Sequence, residues 1–250
     1  MALKAPATEP GLHEAALVLC AHGSRGGTGA AAGHAARIAR LGWFAEVHAC
    51  ALKGEPGLTR TLTAVRAPTG FLVPLLMAEG FTLRAMLRRL ELAADSRTRL
   101  TVCRPVGVHP RLAGMIGAKA LARCARKGWP AADTALLIAG HGTERHPDSD
   151  ASARRHAAEI RAQKVFAEVA VGFLDQAPRI PDALAGLSAR RSVVVGLFVD
   201  RGEHGEEDIP KLLAAAGERA AYAGPIGPDP LITGLILDEV QAALKGALAA

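Results

Sequence analysis

Three residues in the C-terminal half of the chain carry groups that bind metal ions or move protons: His141, Asp175 and His204. Two imidazoles and a carboxylate suit a borderline divalent ion such as Co2+, Fe2+, Ni2+ or Zn2+. The same groups suit proton abstraction near neutral pH, where histidine titrates and a carboxylate partner tunes it. Each sits at or just past the end of a predicted strand: His141 after the apolar run of ALLIAGHGTER, Asp175 in FLDQAP, and His204 in GEHGEEDIP. In an open parallel α/β sheet, ligands bind beyond the carboxyl ends of the strands, so all three are expected to rise from one edge. A single histidine after a strand is more often a loop hydrogen-bonder. Two at strand exits on the same edge bring a functional role level with the structural one. Glu203, Glu206, Glu207 and Asp208 can be read as a solvated, acidic helix start favoured by the helix dipole, and for Glu206 and Glu207 that reading is preferred.

The elements that must position these groups occur twice. In the first half, apolar runs at Ala16–Cys20, Ala45–Leu52, Phe71–Met77 and Leu100–Arg104 predict strands. Between them lie helical patterns: an alanine-rich stretch to about Leu41, one starting near Pro56, Leu83–Ala94, and a last one running to about Lys127. This βαβαβαβα alternation implies a parallel sheet wrapped by helices. The order returns in the second half. ALVLCAHGSR (Ala16–Arg25) matches ALLIAGHGTER, and PVGVHP matches PIGPDP. His22 and His141 are 119 residues apart, Pro56 and Pro178 are 122 apart, and Pro105 and Pro225 are 120 apart. We read an internal duplication: a flexible tail over 1–14, an N-terminal lobe over 15–128 and a C-terminal lobe over 129–250, joined near Gly128-Trp129-Pro130.

Differences between the copies locate the chemistry. Where the second copy has His141, Asp175 and His204, the first has His22, Lys53 and Thr82. The first copy therefore reads as a degraded site and the second as a retained one.

Composition bounds the partners. The chain carries a formal net charge of +6, with only 4% aromatic residues. Its basic residues are scattered along helices without runs, which fits a polyanionic small molecule better than nucleic acid. No apolar run approaches the length needed to span a membrane. Cys20, Cys50, Cys103 and Cys124 show no CxxC spacing. They read as buried reduced thiols, which points to the cytoplasm.

GHGTER, FLDQAP and GEHGEEDIP, in that order and at those intervals, resemble the motifs of the class II chelatases, the sirohydrochlorin cobaltochelatase and ferrochelatase family. The chain resembles its long form, a tandem duplication, over nearly its whole length after the tail. The resemblance implies two flavodoxin-like α/β lobes facing each other across a cleft, and insertion of Co2+ more than Fe2+ into sirohydrochlorin without ATP. The metal is then a substrate, and no tightly bound cofactor is expected. Carried over residue by residue, the paired active-site histidines fall on His141 and His204, and the strand-two acid, a third metal ligand, falls on Asp175. Arg145, Arg201 and Arg25, with Arg84 beside them, are expected to meet the eight carboxylates of the tetrapyrrole; ordinary surface charge is the alternative for each. The chain departs from the long form in carrying its histidine pair in the second half. A tandem chain fits a monomer or a homodimer.

Two other readings stay open on the residues alone. A tetrapyrrole or metal carrier without catalysis would follow from duplication and loss. A histidine phosphatase is disfavoured, because Arg25 and Arg145 follow their His-Gly pairs, whereas those enzymes place the arginine before.

Overall fold

The computed structural model describes residues 12–23, 27–92, 97–144 and 149–248. Most of the tail expected over 1–14 lies outside these, although Leu12 is described and buried.

The first repeat supplies β1 (Ala15–Ala21), α1 (Ala30–Ala39), β2 (Glu46–Ala51), α2 (Leu58–Ala64), β3 (Thr69–Leu75), α3 (Phe81–Leu92), β4 (Arg99–Val102) and α4 (Leu112–Lys127). The second supplies β5 (Thr134–Gly140), α5 (Ala151–Ala162), β6 (Glu168–Phe173), α6 (Ile180–Ala185), β7 (Arg191–Gly196), α7 (Ile209–Ala214), β8 (Ala220–Pro225) and α8 (Ile232–Leu248). Their strands form two separate four-stranded sheets, ordered β2-β1-β3-β4 and β6-β5-β7-β8. Every pairing is parallel. The expected α/β class with two tandem lobes is what the chain adopts.

Both internal strands β1 and β5 are buried at all seven positions. That explains why they read as unbroken apolar runs: a strand covered by helices on both faces has no solvent side to alternate with. The helices bury one face each. In α1 that face is Ala31, His34, Ala35 and Ile38, at helical spacing. The abundance of alanine lets helix and sheet backbones approach closely. All four cysteines are buried and free. Burial pushes the Cys103 thiol up to about 12, with the Glu239 charge adding to the effect. Cys20 is raised by its hydrogen bond to Cys50, by burial and by the Cys50 charge.

The described residues divide into two compact units that do not follow the repeat boundary. One is drawn from Met1–Leu76, Thr82–His109 and Pro230–Ala250, the other from Met77–Phe81 and Pro110–Asp229. Helix α4, encoded at the end of the first repeat, packs on β7, β8 and α5. Helix α8, encoded at the end of the second, packs on β3 and α1. Relative to the lobes 15–128 and 129–250 expected from the sequence, the packed units thus exchange their last helices.

Side-chain pairs match that exchange. On the first unit, Arg104 makes two 3.1 Å hydrogen bonds to Glu239 of α8. His109 lies 3.7 Å from Asp238 of the same helix. On the second unit, Asp229 lies 3.9 Å from Lys119 of α4. An acidic helix meets basic loop groups and a basic helix meets an acidic one, which opposes packing of either helix on its own repeat.

Candidate active site

The turn after β5 is shaped by glycine. Gly142 has φ +66°, and a Cβ there would lie 2.8 Å from the Cβ atoms of both Gln176 and Phe173. Its counterpart Gly23 has φ +95°, and a Cβ would fall 1.9 Å from the carbonyl oxygen of Lys53. A side chain is strained at such a φ and has no room, so the His-Gly pair is a backbone requirement in both copies. It turns the chain sharply and leaves the histidine at the strand exit.

Backbone pairing continues past the strand ends and sets the next residue beside that histidine. The Asp175 N–H donates to the His141 carbonyl at 2.9 Å, and the Lys53 N–H donates to the His22 carbonyl at 2.9 Å. Lys53 therefore occupies the position of Asp175. The Asp175 carboxylate lies 3.5 Å from Nδ1 of His141 and 3.7 Å from the guanidinium of Arg179.

His204 opens a wide helical turn, His204–Asp208, in which the Ile209 N–H reaches back five residues to the His204 carbonyl. Such i→i+5 turns occur mostly as single turns at functional sites. Glycine at 205 has a packing reason, since a Cβ there would come within 2.8 Å of the Asp200 carbonyl oxygen.

The fold brings His141 and His204 together. Their ring centroids are 4.9 Å apart with the planes at 90°. Both side chains are about half exposed, so a bulky ligand can reach them. Nδ1 of His141 lies 2.8 Å from the Gly142 carbonyl. A carbonyl oxygen only accepts, so this nitrogen is the protonated one and Nε2 keeps the lone pair. Nδ1 of His204 lies 2.7 Å from the Asp208 carboxylate. The second lobe thus presents two imidazoles with their Nδ1 atoms engaged and their Nε2 atoms basic.

Among the described residues, no group of three or more His, Cys, Asp and Glu side chains is arranged to hold a metal ion. Asp175 accordingly sits behind His141, on its Nδ1 side, and does not close a three-ligand set. In the first lobe His22 has neither an acid at 53 nor a histidine at 82.

The expected arginines contribute unevenly. Arg201 is exposed and its guanidinium donates to Glu206 at 3.2 Å. Arg84 is exposed on α3. Arg25 and Arg145 lie outside the described residues. Of three further participants, the sequence names Asp208 only within the acidic helix start and does not single out the other two. The Asp208 carboxylate lies 2.7 Å from Nδ1 of His204. Arg179 contacts Asp175 and donates to the Leu174 carbonyl. Gln176 accepts from the Thr143 N–H at 3.0 Å and the Ser149 hydroxyl at 2.8 Å, and donates to Asp150 at 2.8 Å. The i, i+4 spacing of His204 and Asp208 inside GEHGEEDIP was the available signal for the first; nothing in the spacing marked the other two.

The chain matches a known family. The CbiX family profile matches the chain twice, over residues 16–122 and 135–243. The chain is 30% identical over 262 aligned residues to a probable sirohydrochlorin cobaltochelatase of Halobacterium salinarum, covering 89% of each. It is 30% identical to a sirohydrochlorin cobaltochelatase of Methanothermobacter thermautotrophicus, with 44% of this chain covering 92% of that one, as a single repeat would. Among solved structures it is similar to CbiX, described as the terminal enzyme for biosynthesis of sirohaem in denitrifying bacteria: TM-score 0.72, 28% identity, 92% of this chain and 99% of that one. With both repeats matched and the paired histidines at one sheet edge, the chain belongs to the CbiX family of class II chelatases.

Proposed function

We propose that this protein inserts a divalent metal, cobalt(II) in preference to iron(II), into sirohydrochlorin at the paired histidines of its second lobe, without nucleotide hydrolysis. The single observation that carries the reading is the approach of the His141 and His204 rings to 4.9 Å at a strand-exit edge. The names of the relatives support the substrate, and the recurrence of cobaltochelatase among them supports cobalt.

The chemistry suits two basic nitrogens on half-exposed rings. As the ion enters the macrocycle, two pyrrole N–H bonds break and their electron pairs become metal–nitrogen bonds. The two protons need acceptors, and the ion needs a weak hold before transfer. The Nε2 atoms of His141 and His204 serve both ends: each binds the ion through its lone pair, releases it to the macrocycle and takes a proton, which then leaves to solvent. Asp175 and Asp208 support the rings from the Nδ1 side. The ion is a substrate, and the reading includes no tightly bound cofactor. The net charge of +6 and exposed cations such as Arg201 complement a polycarboxylate.

The test is the change in absorption of sirohydrochlorin on adding Co2+ with the protein. Wild type is expected to accelerate insertion over the uncatalysed rate, and His141→Ala and His204→Ala to reduce it by at least about 100-fold, a scale set by the usual worth of positioned acid–base groups. A wild-type rate equal to the uncatalysed one overturns the reading; stoichiometric binding of the macrocycle without turnover would instead establish a carrier.

A further inference from the structure

We propose that Asp208 is a positioning residue for the reaction: its carboxylate holds His204 with the proton on Nδ1, leaving Nε2 as the lone-pair nitrogen. This rests on the reading of His141 and His204 as the working pair. Three observations converge on it.

The first is geometric. The 2.7 Å contact between His204 Nδ1 and Asp208 Oδ2 is the closer of the two histidine–carboxylate approaches at this edge, the other being 3.5 Å between His141 and Asp175. An ionised carboxylate has only acceptors, so the shared proton belongs to Nδ1 and the tautomer is fixed.

The second is that Asp208 serves no evident purpose in its helix. The wide turn passes straight into α7 with helical dihedrals at Asp208, so the residue does not occupy the extended-backbone position from which aspartate caps a helix. Its side chain makes no capping hydrogen bond there. The neighbouring acids turn to surface cations, Glu206 to Arg201 and Glu207 to Lys211. Asp208 alone of the three turns to the histidine.

The third comes from the repeat. Residues 122 apart relate Lys53 to Asp175, Thr82 to His204 and Met86 to Asp208. Met86 is fully buried within α3, which starts without a wide turn. The copy that lacks the histidine also lacks its acid, as expected of two groups that work as one unit.

The test reads the tautomer directly. In uniformly 15N-labelled full-length protein at mildly alkaline pH, long-range 1H–15N correlations report which ring nitrogen of His204 is protonated. Wild type is expected to show Nδ1–H. Asp208→Ala is expected to move His204 toward Nε2–H and to weaken binding of Co2+ alone by roughly 10- to 100-fold. Asp208→Asn keeps an acceptor for Nδ1–H, so it is expected to retain the tautomer and part of the affinity, a rescue that a purely structural role does not predict. Nε2–H in wild type, or an unchanged tautomer in Asp208→Ala, overturns the proposal. Should Asp208→Ala fail to fold, the wild-type spectrum and Asp208→Asn decide, Nε2–H in either being fatal. Since this readout needs no tetrapyrrole, a wild-type protein without turnover would sink the functional reading and leave the tautomer result standing.

Discussion

At the residue scale the two copies share an anchoring device away from the site. Glu46 begins β2 and accepts from the backbone N–H groups of Arg66 and Ala67 at 2.9 and 2.7 Å, while lying 3.0 Å from His48. Glu168, which begins β6, accepts from the Ala189 N–H at 2.6 Å. Each carboxylate ties the start of an edge strand to the loop entering the next one. Partial burial works against ionisation of Glu46, but the His48 bond and the two backbone donors outweigh it, so its carboxyl is held below its ordinary value of 4.5. A lowered folded-state value means the ionised form stabilises the fold. That contribution is fully present above the unfolded-state value and is lost as pH falls through the folded one. Glu46→Gln is therefore expected to cost about 1–2 kcal/mol at pH 7, the scale of charge-assisted hydrogen bonds at a partly exposed site. Urea denaturation of both proteins from pH 7 down to pH 3 should show the gap closing below about pH 4.5. A gap independent of pH would mean that the charge is not what holds the loop.

At the scale of elements, periodicity and apolar runs placed the four strands of the first copy and, through the repeat, the order of the second, because each depends on local pattern and on which faces are covered. The His-Gly exits were equally legible, since a positive φ and a crowded Cβ are local demands that glycine alone meets. The destination of α4 and α8 was not. It depends on partners far apart in sequence: Arg104 and Glu239 are 135 residues apart, and neither has a pattern that names the other. Glu239 is 1% exposed and its oxygens are satisfied by the Arg104 guanidinium, whose other side is open to water. Removing the arginine strands a buried carboxylate, so Arg104→Met is expected to destabilise the protein by about 2–4 kcal/mol, somewhat below the full cost of breaking a wholly buried pair. Replacing the acid as well, in Arg104→Met/Glu239→Leu, removes the stranded charge and should recover at least half of that loss. Thermal or urea unfolding of the two variants measures the difference. Equal losses in the single and double variants would show that the pair contributes packing alone and does not help to assign α8 to the first sheet.

At the scale of the whole molecule, duplication supplied two equivalent sheet edges and later substitution made them unequal. The inequality was visible in the sequence as Lys53 against Asp175 and Thr82 against His204, because a tandem chain carries its own comparison. Its depth became visible only in the structure. Besides carrying Lys53 and Thr82 in place of the acid and the second histidine, the first edge fills the place of the supporting acid with Met86, a fully buried side chain in a hydrophobic cluster with Cys20, Leu58, Leu72 and Leu76. Putting back the acid and the histidine should therefore fail to rebuild a site. In a His204→Ala background, Lys53→Asp with Thr82→His is expected to leave metal insertion at the level of His204→Ala alone. Adding Met86→Asp forces a carboxylate into an apolar cluster, and is expected to lower stability by about 3 kcal/mol or more through the desolvation of that group and the lost packing. Insertion assays paired with thermal melts separate the two effects. Recovery of activity by Lys53→Asp/Thr82→His would mean that the first edge had stayed competent in everything but those two side chains, and that the asymmetry of this chain is shallow. Failure together with an unchanged Tm would place the division between the repeats in the core itself.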